Sequence, residues 1–190
     1  LNINSVETSL LKAIITGTIK EKKLDNKNIG CIYELPSTRT RLSFIKAINE
    51  LGANPIDIDL KTLNLSRYES FEDTFKIFNC YLDGLVFRTN SHSKLDEASK
   101  FFNFPIINAL SEISHPCQII ADLITLYQKF NSLNIKIYWF GDINNVCFSL
   151  IEAVSKIKEI QLMISSSDEI IDSKKNLFKD VDNIFVKNSI

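Results

Sequence analysis

The chain has 190 residues, 45% of them hydrophobic and 24% charged, with a formal net charge of -1. That length can bury a sizeable core in one large domain or two small ones, and the near-neutral balance excludes broad electrostatic binding to nucleic acid or anionic membrane, so any anion site must be local. No apolar run approaches the roughly 18 to 20 residues that span a bilayer, while Cys31, Cys80, Cys117 and Cys147 lack any C-x-x-C pairing and have only two histidines beside them, which points away from zinc and toward a reduced intracellular chain.

The N-terminal run "LNINSVETSLLKAIITGTIKEKK" lacks the basic start and small-residue cleavage site of a secretory signal and reads as an amphipathic helix capped near Ser5. It also lacks an initial Met, consistent with processing or trimming. Next comes a short apolar strand, 29–34, and then a helix over 38–52 with Leu42, Ile45, Ile48 and Leu51 on one face before a Gly stop. Residues 54–60 alternate as a strand. After a polar loop, 69–82 places Phe71, Phe75, Phe78 and Leu82 on one helical face, and 83–89 is the next strand. The segment 93–102 reads as helix, 104–110 as strand, and 115–130 as a long helix with Pro116 just inside its start.

Beyond the polar break "NSLN", the pattern resumes with strand 135–142, helix 144–158, strand 160–166, a charged segment, and strand 183–187. Strict alternation predicts an α/β fold in which parallel sheets are flanked by helices, because parallel neighbours need crossover connections. A boundary near residue 131 divides the chain into 1–130, with four strand-helix units, and 131–190, with about three strands. The second domain is then incomplete. In such sheets ligands sit at the carboxyl ends of strands.

Three polar clusters fall there. Ser37, Thr38, Arg39, Thr40 and Arg41 leave strand 29–34 and open a helix, where unpaired N–H groups, hydroxyls and a guanidinium make a phosphate cradle. The alternative is that Ser37 only caps the helix and the arginines are solvated. Arg88-Thr89 ends strand 83–89, either facing the same crevice or making a surface ion pair. In "SHPCQ", His115 and Gln118 share a helix's first turn and could polarise a carbonyl. A fourth cluster, "GDINN", puts Asn145 at the mouth of the second domain, or simply makes a turn in which Asn144 caps the next helix. His92 reads as a solvated loop residue. No second histidine is placed to activate Cys117, so no thiolate nucleophile is expected.

In this order and spacing the clusters resemble the aspartate/ornithine carbamoyltransferases, most closely the ornithine branch. The matching runs are "STRTRLSF" with "ELGA", "ESFEDT", "YLDGLVFRT" with Ser91-His92, "FPIINAL", "HPCQIIADLITLYQKF" and "GDINNV". They cover residues 29–150 and, more weakly, the rest. The resemblance implies that 1–130 binds carbamoyl phosphate and that 131–190 is part of a Rossmann-like ornithine-binding domain. Ser37, Thr38, Arg39 and Thr40 would hold the phosphate, joined by Asn64. Arg88, His115 and Gln118 would bind the carbamoyl end, and Asn145 would touch ornithine. Arg88, His115 and the Thr40 hydroxyl would be the catalytic donors, aimed at the oxygen where negative charge grows. The product would be citrulline, in arginine biosynthesis or its reverse. The resemblance further implies a cytoplasmic homotrimer, or a multiple of trimers, without metal or organic cofactor. Aspartate and putrescine remain alternative acceptors.

The chain also departs from the family. Ile45 stands where Glu is usual, Asn64 where Gln is expected, and Ser66 and Tyr68 where glycines are common. The sequence ends before the family's Asp-Ser-Met segment and its His-Cys-Leu-Pro motif, and Lys187 falls near the expected Asp. The expectation is a fragment of a full enzyme. A shortened relative that binds carbamoyl phosphate without catalysis is the alternative.

Overall fold

The computed structural model describes residues 6–18, 24–63, 69–179 and 181–188. They form two packing units. In the first, strands β1 (Asn28–Tyr33), β2 (Asn54–Ile58), β3 (Gly84–Arg88) and β4 (Ile106–Leu110) make a parallel sheet in the order β2-β1-β3-β4. Helices α2 (Thr38–Glu50), α3 (Phe71–Tyr81) and α4 (His92–Phe101) connect them. The central strands β1 and β3 are buried nearly throughout, as a sheet covered on both faces requires. Side chains crowd Gly30: a Cβ on it would lie 2.6 Å from Leu82 Cδ1, so that leucine would have to shift.

The phenylalanine face of α3 packs as its spacing predicts. Phe75 is fully buried, with its ring centroid 4.4 Å from Phe71, 5.3 Å from Phe78 and 6.3 Å from Phe87 on β3. Burial of a side chain of this size stabilises by about 1.5–3 kcal/mol. Ser70 caps the helix by accepting from the Asp73 N–H at 3.0 Å. The face predicted for α2 is less buried than expected. Only Ile48 reaches the core, whereas Leu42 is 62% exposed, because edge strand β2 offers little to cover it.

In the second unit, β5 (Lys136–Phe140), β6 (Gln161–Ser166) and β7 (Ile184–Asn188) form a parallel sheet in that order. Helix α6 (Asn145–Lys156) joins β5 to β6, and α7 (Asp168–Lys174) joins β6 to β7. Stepwise order with crossovers of one hand puts both helices on one face, where Leu162, Ile164 and Ile184 are buried with α6. Tyr138, Phe140 and Phe185 project from the other face and are exposed. Asn183, just before β7, is buried and donates to the carbonyls of Val154 at 2.8 Å, Ile157 at 3.3 Å and Ile160 at 2.8 Å, closing the end of α6.

The first unit ends at Glu112, and α5 (Pro116–Phe130) packs with the second sheet, together with the N-terminal helix α1 (Thr8–Thr16). Ile119 and Leu123 of α5 bury against Leu11 and Ile15 of α1 and the residues of α6. Helix α1 begins at Thr8 with Glu7 in the capping position and no side-chain cap bond, later than the expected start near Ser5, which lies outside the described residues. It ends on Gly17 at φ 67°, whose N–H and that of Thr18 return to Ile14 and Ala13. Helix α7 occupies the charged segment to which the sequence assigned no element. Among the described residues, no helix is long and apolar enough to cross a membrane.

Candidate functional site

In the first unit the carboxyl ends of β1, β2 and β3 gather the predicted groups. The α2 turn begins directly after β1, and its first helical bond is Arg41 N–H to the Ser37 carbonyl at 3.3 Å. The N–H groups of Thr38, Arg39 and Thr40 therefore have no acceptor within the helix. Ser37 stands in the capping position, yet its hydroxyl makes no capping bond. The bland alternative, in which Ser37 satisfies the helix end, does not describe this turn.

Arg88, the last residue of β3, donates from Nη1 to the Thr40 hydroxyl at 2.9 Å, tying the end of β3 to the first turn of α2. Its Nε is buried without a hydrogen-bond partner, and Arg88 forms no ion pair among the described residues. The alternative of a surface salt bridge for Arg88 is thus not what the fold builds. A half-buried guanidinium without a carboxylate, beside an uncapped helix start, is chemistry for an anion.

Two other cations nearby are already neutralised. Arg41 pairs with Asp57 on β2 and lies over the Tyr33 ring at 5.7 Å. Lys94 on α4 pairs with Glu34 at 2.6 Å, and Glu34 also accepts from the Thr89 hydroxyl. These pairs line a crevice of about 540 Å³ at the ends of β1 and β2, with Ser37, Asp59, Lys61 and Asn90. Among the described residues, Ser37 and Arg41 of the STRTR run line it and Arg39 does not. The internally compensated charge makes this crevice a poorer anion site than the adjoining Thr40–Arg88 junction. Sequence reasoning missed Glu34, Asp57 and Lys94, whose pairings join positions 16 to 60 residues apart. His92, predicted to be solvated, is instead the first residue of α4, with Nδ1 2.7 Å from the Ser111 hydroxyl and its N–H donating to Glu112 at 2.8 Å. Asn64, Ser66 and Tyr68 lie outside the described residues.

In the second unit, His115 precedes Pro116 at the start of α5, and the Gln118 N–H donates to the His115 carbonyl at 3.2 Å. The two side chains belong to one turn, as predicted. The Gln118 amide, exposed, donates to Asp122 at 2.9 Å. The His115 N–H donates to the Ser149 hydroxyl on α6 at 2.8 Å. Ser149 is four residues after Asn145, so this bond brings the starts of α5 and α6 to the same end of the unit. Asn144 does cap α6, accepting from Val146 at 3.0 Å and Cys147 at 3.1 Å, which leaves half-buried Asn145 as the first helical residue. Burial pushes the Cys117 thiol up to about 11, away from the thiolate form. Tyr33 is likewise raised, by burial first and then by Cys31.

Residues 5–128 match the family described as aspartate/ornithine carbamoyltransferase, carbamoyl-P binding domain. An ornithine carbamoyltransferase of Methanococcus aeolicus is 42% identical over 159 residues, 80% of this chain and 52% of the relative. One from Methanocaldococcus jannaschii is 46% identical over 134 residues, 69% of this chain and 43% of the relative. Among solved structures, ornithine carbamoyltransferase from Thermus thermophilus superposes with a TM-score of 0.85 at 26% identity, covering 98% of this chain and 67% of that one. The Pyrococcus furiosus enzyme gives 0.81 at 25% identity, covering 98% and 65%. The chain spans about half the length of the curated relatives it matches.

Proposed function

This chain belongs to the aspartate/ornithine carbamoyltransferase family, and from that premise we propose that it serves the transfer of a carbamoyl group from carbamoyl phosphate to the side-chain amine of ornithine, giving citrulline and phosphate. The observation that carries the proposal is the Arg88–Thr40 bond at an uncapped helix start, with a guanidinium that no carboxylate neutralises. Ornithine is favoured as acceptor because the relatives with the highest similarity reported above are ornithine enzymes.

In this reading residues 1–130 bind carbamoyl phosphate and 131–190 contribute to ornithine binding. Ser37, Thr38, Arg39 and Thr40 hold the phosphate through hydroxyls, a guanidinium and the helix N–H groups. Arg88, His115 and Gln118 take the carbamoyl end, and Asn145 contacts ornithine. The neutral amine attacks the carbamoyl carbon, forming a C–N bond and a tetrahedral oxyanion. The C–O bond to phosphate then breaks, phosphate leaves with the electron pair, and the amine loses its proton. Arg88, His115 and Thr40 are donors to the oxygen on which charge develops, so they stabilise the transition state more than the ground state. Holding both reactants in one geometry supplies much of the remaining acceleration. No electron changes hands, so the balanced reaction calls for no redox cofactor. We further propose a cytoplasmic homotrimer or multiple of trimers.

The test is to supply carbamoyl phosphate with ornithine, aspartate or putrescine in turn and measure the carbamoylated product. Citrulline alone is expected. Carbamoylaspartate or carbamoylputrescine without citrulline would overturn the acceptor. Binding of carbamoyl phosphate with no product from any amine would leave a binding protein in place of an enzyme.

A further inference from the structure

The residue that follows β1 grips the end of β3 in two ways and reaches α4 in a third. The Glu34 N–H donates to the Arg88 carbonyl at 3.0 Å. Its carboxylate accepts from the Thr89 hydroxyl on one oxygen and from Lys94 Nζ at 2.6 Å on the other. The Glu34 side chain is only 15% exposed, and Thr89 is fully buried. The Thr89 oxygen also accepts from the Ser91 N–H at 3.1 Å, which fixes the start of the following loop. This grip falls beside an irregularity of the sheet. The β3–β4 register shifts between Phe87 and Arg88, and Leu110, opposite Arg88, has φ 158°. An irregularity of this kind re-aims a side chain and disrupts the ladder locally. The Arg88 carbonyl is held on the β1 side by the Glu34 N–H, while the next residue, Thr89, is held on the β4 side by its N–H to the Leu110 carbonyl at 3.0 Å.

We infer that Glu34 is a positioning residue for this site: by holding the Arg88 carbonyl and the Thr89 hydroxyl it sets the direction of the Arg88 guanidinium toward Thr40. Lys94 neutralises Glu34, which lets a carboxylate stand close to an anion site without repelling its occupant. The inference rests on the assignment of Arg88 to carbamoyl phosphate made above. It carries a sign that simple charge counting does not. Removing a carboxylate beside an anion site strengthens anion binding by electrostatics alone, whereas loss of positioning weakens it.

The experiment is calorimetric titration of the full chain with fresh carbamoyl phosphate, and with inorganic phosphate in parallel. Glu34→Ala is expected to weaken carbamoyl phosphate about tenfold, the loss of roughly one well-placed hydrogen bond. In an Arg88→Ala background the same change should add little, because Glu34 acts through Arg88. Glu34→Gln keeps an acceptor for Thr89 and should restore most of the affinity. Thr89→Val removes the hydroxyl without changing charge and should follow Glu34→Ala; it also covers the case in which Glu34→Ala fails to fold. Unchanged or tighter binding in both Glu34→Ala and Thr89→Val, or additive losses with Arg88→Ala, would overturn the positioning role while leaving the Arg88 assignment intact. Wild-type affinity in Arg88→Ala would overturn the assignment itself, and the inference with it.

Discussion

Replacing Arg88 by methionine should move affinity and stability in opposite directions. The guanidinium makes one side-chain hydrogen bond, to Thr40 at 2.9 Å, and keeps a buried Nε without a partner. An unsatisfied buried donor costs about 1–3 kcal/mol, and the single bond returns about 1 kcal/mol. Methionine fills much of the same volume without either polar group. The ligand-free protein should therefore hold its stability within about 1 kcal/mol, or gain slightly, which is the usual sign at a site built for binding. Carbamoyl phosphate should lose a charge-assisted contact of about 1.5–3 kcal/mol, a weakening of roughly 10- to 150-fold. Urea unfolding of the free protein and calorimetric titration of the ligand read the two effects separately. A stability loss above about 2 kcal/mol with affinity within twofold of wild type would make Arg88 a structural residue and not a binding one.

Three further outcomes follow from particular contacts. Arg39→Ala should chiefly weaken carbamoyl phosphate binding, and His115→Ala should chiefly lower turnover because in the proposed reaction it acts on charge that develops in the transition state; steady-state kinetics giving equal effects on KM and kcat for both would contradict that division. Asn183→Leu removes the amide shared by the carbonyls of Val154, Ile157 and Ile160, and should cost about 2–3 kcal/mol in urea unfolding. Burial pushes Cys117 up to about 11 and Cys147 up to about 12, from an ordinary 9.0. The unfolded chain thus loses these protons first, and the stabilisation is fully present below pH 9.0 and lost as pH rises through about 11 and 12. Urea midpoints measured above pH 9.0 should fall, and Cys147→Ala should flatten the decline.

The alternation of strands and helices was legible because each element carries its own periodicity. Phe71, Phe75 and Phe78 announce a buried helical face wherever the helix packs, and the structure buries it. What was not legible depends on partners distant in sequence. Helix α7 has few apolar positions and a capping Ser167 that makes no side-chain bond, so its local signal is weak. The amphipathic pattern of α1 shows that the helix has a partner, but nothing local shows that the partner is α5, more than a hundred residues on. Leu42 belongs to an apolar stripe by spacing and remains exposed, because a stripe is buried only as far as the sheet beneath it extends.

The same distinction separates the two arginines of "STRTR". By composition they are equivalent anion-seeking groups. In a helix, however, residues two apart point about 200° around the axis from each other, so Arg39 and Arg41 cannot share one ligand side by side. Asp57 on β2 and the Tyr33 ring claim Arg41, fixing the start of α2 onto the sheet. Arg39 has no such partner among the described residues and is exposed. Arg41 thus anchors the turn, and on the proposed reading Arg39 completes its N–H groups and hydroxyls. Charge at the site is set by which cations the fold leaves without a carboxylate: among the described residues Arg39 and Arg88 remain at the turn and Lys61 at the crevice, while Arg41 and Lys94 are spent on Asp57 and Glu34. If that is the logic of the site, Arg41→Ala should lower stability more than it lowers anion affinity, the reverse of Arg88→Met.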